Sequence, residues 1–62
     1  MDIILVIKDL SKRMHTNKLK QLQLEEYLLM QLVFETEDLG VRSKALERKK
    51  DIDKQTIEML GG

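Results

Sequence analysis

The sequence predicts an all-α fold: two or three helices in a small hairpin or bundle, completed by dimerisation. Three observations carry this. There is no proline, and the one internal glycine is Gly40. Strong helix formers (Leu, Lys, Glu, Gln, Met, Arg) dominate the chain. Apolar residues recur at helical rather than strand spacing over most of its length.

The first segment is expected to be helical over about 3–15. Ile3, Ile7, Leu10 and Met14 recur at i, i+4, i+7 and i+11, which places them in one stripe. The run Ile3-Ile4-Leu5-Val6-Ile7 is β-branched enough to make a strand. A strand over 3–7 would leave Leu10 and Met14 unexplained, so helix is favoured. The second helix is expected over about 17–39, with Thr16 or Asn17 as N-cap and Gly40 as a left-handed stop. A single helix through 3–39 remains open, because residues 15–17 contain no strong breaker. The third helix is expected over about 43–60, capped by Ser43. Gly61-Gly62 reads as its stop.

On the second helix, Leu19, Leu22, Leu28, Leu29, Met30, Leu32, Val33 and Leu39 fill an arc of about 200°, where a surface helix needs about 100°. Tyr27, Phe34 and Leu24 lie outside that arc, beside the polar stripe of Lys20, Gln31, Glu35 and Asp38; core packing is the default for the two aromatics, with anchoring at a subunit or partner interface as the alternative. The third helix offers one modest apolar face around Ala45 and Ile52, interrupted by Lys49 and Asp53, which stand four apart and can pair. Two such neighbours cannot easily surround the second helix. A second copy of the chain, meeting it at a two-fold, is the expected cover. Another protein partner would serve as well.

Size points the same way. The 62 residues make a single domain, 1–62. Such a chain buries only about 60% of its unfolded surface and usually needs a staple. It has no cysteine and one histidine, His15, so neither a disulfide nor a structural zinc site is expected. Oligomerisation or a partner is left. The opening MDIILVIKDL has an acidic start and a short apolar run, too short for a secretory or membrane segment. A cytoplasmic protein without membrane association is expected.

Eleven basic residues balance eleven acidic ones, which argues against a chain built to coat nucleic acid. The charges are blocked, however. Lys8, Lys12, Arg13, Lys18 and Lys20 come first, then Glu25, Glu26, Glu35, Glu37 and Asp38, then Arg42, Lys44, Arg48, Lys49 and Lys50. Neighbouring antiparallel helices or subunits with complementary charge would use this pattern.

No chemistry-bearing motif emerges. His15 has no nucleophile placed beside it, the carboxylate pairs read as solvated or ion-paired faces, and there is no glycine-rich phosphate loop. The chain is expected to be no enzyme and to hold no cofactor or metal. The function expected is a small regulatory or adaptor protein that binds through helix two. Its interface residues would be Tyr27, Leu29, Met30, Val33 and Phe34. A second class is a dimeric DNA-binding regulator using Lys12, Arg13, Lys18 and Lys20 on phosphates. A third is a structural subunit of a phage or secretion-type assembly.

Overall fold

Asp2 starts the first helix by accepting the Ile4 amide on Oδ1 at 2.9 Å. From there α1 runs over Ile3–Met14, so the ambiguous β-branched run is helix. The computed structural model describes residues 2–61, and Gly62 lies outside them. α1 ends where His15 turns extended (φ −134, ψ 136). Asn17 then caps α2, Lys18–Glu35, accepting the Lys20 amide at 3.2 Å. The first two helices are therefore separate. The Gln21 side chain closes the corner by donating to the His15 carbonyl at 2.6 Å.

α1 is turned from its expected stripe. Ile7 and Ser11 are buried and Ile4 packs beside them, while Ile3, Leu10 and Met14 stay exposed. Ser11 explains the rotation. It is small, and its hydroxyl donates to the Ile7 carbonyl at 2.8 Å, so it enters the core satisfied and lets α1 approach α2 closely. Ala45, fully buried, gives α3 the same close approach.

The larger correction lies between α2 and α3. Gly40 is no stop: α2 ends at Glu35, and α3 runs over Leu39–Met59 with Gly40 in its first turn. Ser43 lies inside α3, and the cap is Asp38, whose Oδ1 accepts from the Gly40 amide at 2.9 Å and the Val41 amide at 3.2 Å. Thr36 Oγ1 accepts from the Asp38 amide and shapes the turn. Electrostatics favours this boundary. Three carboxylates at a helix C-terminus oppose its dipole, whereas Asp38 at an N-terminus complements it. The residue that does take the left-handed conformation is Gly61, at φ +83, as the stop of α3.

This boundary makes a prediction. Gly40→Ala is expected to change stability by no more than about 1 kcal/mol. A helix-interior alanine gains up to about that much, offset by a Cβ that would lie 3.2 Å from the capping Oδ1. Asp38→Ala should cost about 1 kcal/mol through loss of the cap. Urea unfolding decides it: a Gly40→Ala loss well above the Asp38→Ala loss would restore Gly40 as a left-handed stop.

α2 and α3 run antiparallel, since Arg42 meets Thr36 at the turn and Arg48 meets Glu25 further along both helices. α2 lies in the middle, packing against both neighbours, which barely touch each other. The Cα envelope measures 35 × 24 × 16 Å. Ile7, Leu22, Leu29, Ala45 and Ile52 form the buried core, with Ile4, Leu28, Leu32 and Val33 packed against it. The wide apolar arc of α2 is thus covered on the side that α1 and α3 share.

Candidate interaction surface

The stretch YLLMQLVF divides between two surfaces. Leu29 is completely buried and Val33 is half-buried against the core. Both therefore belong to the chain's own interior rather than to an outer interface. Tyr27 and Phe34 face the other way, at 60% and 76% exposure, with Met30 half-buried between them. Steps of three and four put these three on one outward stripe of α2. Tyr27, Met30 and Phe34 therefore form the candidate surface, and Leu29 and Val33 drop out of it.

Other large apolar side chains also face outward. α1 exposes Ile3, Leu5, Val6, Leu10 and Met14, and α3 exposes Leu39, Leu46, Ile57 and Met59. On α1, Ile3, Val6, Leu10 and Met14 fall within about 80° of the wheel and make a continuous stripe. Isolated exposed leucines are ordinary, but stripes of this kind mark association surfaces.

What holds α2 in this orientation is partly polar. Glu25 sits between Leu22 and Leu29 on the buried face, with 4% of its side chain exposed. Arg48 of α3 meets it with both arms of its guanidinium, Nε to Oε2 at 2.5 Å and Nη2 to Oε1 at 3.2 Å. Its remaining nitrogen reaches Asp51 at 2.8 Å, and Gln55 donates to the same carboxylate oxygen. Next to Arg48, Lys49 reaches Glu26 at 3.6 Å and Asp53 at 2.9 Å. The expected Lys49–Asp53 pair thus forms, and of the acidic middle Glu25 and Glu26 meet Arg48 and Lys49 of the second basic block. The buried Glu25–Arg48 fork went unforeseen. Its signal is a glutamate three residues after Leu22 and four before Leu29, inside an apolar face.

The hydrogen bond to Glu25 raises the Arg48 pKa above its ordinary value. Burial opposes the shift, and the charges of Glu25 and Asp51 add to it. The Lys49 ammonium is raised chiefly by its hydrogen bond to Asp53 and that carboxylate's charge. A cation with a raised folded pKa contributes stability that is present below its unfolded value and lost as pH climbs through the folded one. For Lys49 that window opens only above its ordinary 10.5, and for Arg48 higher still. Neither cation gives stability a slope near neutral pH.

The four candidate phosphate-binding residues gather at the α1–α2 corner. Lys12, Lys18 and Lys20 are exposed there, and among the described residues none of them makes an ion pair. Arg13 is exposed too, but is engaged by Asp9 at 3.0 Å. His15 is half-buried at the same corner. Among the described residues there is no pocket, no group of three potential metal ligands and no helix long and apolar enough to cross a membrane. Comparison of the chain with protein-family models, curated proteins and solved structures gives no match.

Proposed function

We propose that this chain is a small, non-enzymatic regulatory or adaptor protein that works by presenting one face of α2 to another protein chain. The observation that supports it is the outward stripe of Tyr27, Met30 and Phe34, left over after the core has taken Leu22 and Leu29. Large rigid aromatic side chains contribute most at protein interfaces, and helix faces are read in grooves through anchors spaced by three and four.

Replacing Tyr27, Met30 and Phe34 together with alanine is expected to keep the helical circular dichroism spectrum. It should abolish association, either with a second copy or with a captured partner. A triple variant that is folded and still associates as before would remove α2 from the reading. The α1–α2 corner supplies the competing reading, because among the described residues Lys12, Lys18 and Lys20 make no ion pair. Titration with duplex DNA is expected to give no salt-dependent shift. A shift that weakens steeply with salt would move the function to that corner, since phosphate contacts release counterions.

A further inference from the structure

The outward face of α2 continues beyond its three apolar residues in a regular pattern. Within α2, Lys20, Gln23, Tyr27, Met30 and Phe34 follow one another by three, four, three and four, and Glu37 stands two residues past the helix, where the chain is no longer helical. This is the spacing of a coiled-coil seam. Lys20, Gln23 and Glu37 are exposed like the aromatics. The seam has apolar residues at its centre, a lysine at the N-terminal end of α2 and a glutamate just past its C-terminal end. From Lys20 to Phe34 it spans about 21 Å.

The charges on α2 are misplaced for a helix alone. Lys18 and Lys20 occupy its first turn, Glu35 its last, and neither an acidic first turn nor a basic last turn is present. Each charge opposes the helix dipole at its own end. Among the described residues, none of Lys18, Lys20, Glu35 and Glu37 makes an ion pair within the chain.

We infer that the occupant of this face is a second copy of the chain, docked antiparallel through α2 across a two-fold axis between Tyr27 and Met30. This rests on the reading of α2 as a protein-binding face and names its partner. A parallel copy would set lysine beside lysine and glutamate beside glutamate. The antiparallel copy sets Lys20 of each chain against Glu37 of the other, Gln23 against Phe34, and Tyr27 against Met30. The helical stretch Gln23–Phe34 maps onto itself under that operation, as an isologous interface demands, and Glu37 stands in the turn that follows. Both misplaced ends of α2 then meet charge of the opposite sign, and the two helix dipoles lie antiparallel.

Sedimentation equilibrium on four chains tests it: wild type, Lys20→Glu, Glu37→Lys and the double swap. The wild type is expected to dimerise. Each single reversal replaces two attractions by two repulsions and should raise the dimer dissociation constant about tenfold, more at low salt than at high. The double swap should return it close to wild type. Single reversals without effect, or a double swap no better than either, would overturn the antiparallel arrangement. A wild type that stays monomeric at every concentration would overturn self-association. The broader reading of α2 would survive that result if the Tyr27, Met30 and Phe34 triple variant still lost a captured partner, and would fall with it otherwise.

Discussion

Leu29→Ala is expected to remove about 2–5 kcal/mol of stability, the cost of truncating a fully buried leucine and leaving a cavity. A domain of 62 residues holds roughly 3–9 kcal/mol in all, at about 0.05–0.15 per residue. One substitution should therefore unfold a large fraction of the chain at room temperature. Phe34→Ala, five residues along the same helix, removes a larger side chain. At concentrations low enough to keep the chain monomeric, it should change stability by no more than about 0.5 kcal/mol, because Phe34 touches little of its own molecule. Urea unfolding followed by circular dichroism compares the two. Equal losses would mean that the inner and outer faces of α2 have been confused.

Arg48→Met should be nearly as damaging, at about 3–5 kcal/mol, because it leaves the Glu25 carboxylate enclosed without its counter-charge. The loss should be largely recovered in Glu25→Leu/Arg48→Met, since a buried ion pair replaced as a unit by apolar residues of similar volume is often neutral or better. A double-mutant cycle measures the coupling directly. If Arg48→Met costs less than about 1 kcal/mol, the pair behaves like a surface bridge and the packing of α2 on α3 is looser than described. The value of the pair need not lie in stability. The fork ties α3 to α2 at the register that sets Arg48 opposite Glu25.

Much of this molecule was legible before folding. Helix content followed from residue types and the lack of proline. The division of YLLMQLVF was legible only in part: periodicity put Leu22 and Leu29 in the wide apolar arc and Tyr27 and Phe34 outside it, but core packing is the default for two lone aromatics, and the structure exposes both. Leu29 and Val33 were also assigned to an interface, which the structure does not support, because a wheel gives directions but not which neighbour fills them. The α1 stripe was misjudged for a related reason. Counting hydrophobicity favours Leu10 and Met14, whereas close packing favours the small Ser11 with its hydroxyl already bonded. At the α2–α3 boundary two local signals competed. Gly40 suggests a stop, while Glu35, Glu37 and Asp38 sit unfavourably at a helix C-terminus. That discomfort was the better guide, because an N-cap satisfies two backbone amides at once.

The sequence by itself determined that this protein is helical, small, free of cysteine and richer in apolar helix surface than two short neighbours would ordinarily cover. These properties depend on backbone propensity and spacing, which act within a few residues. The tertiary structure decided which side of each helix is used. It put Ser11 rather than Leu10 inside, joined Glu25 to Arg48 across 23 positions of chain, and left Tyr27, Met30 and Phe34 facing out. Those choices depend on shape and charge meeting between helices distant in sequence, so only the assembled chain could make them.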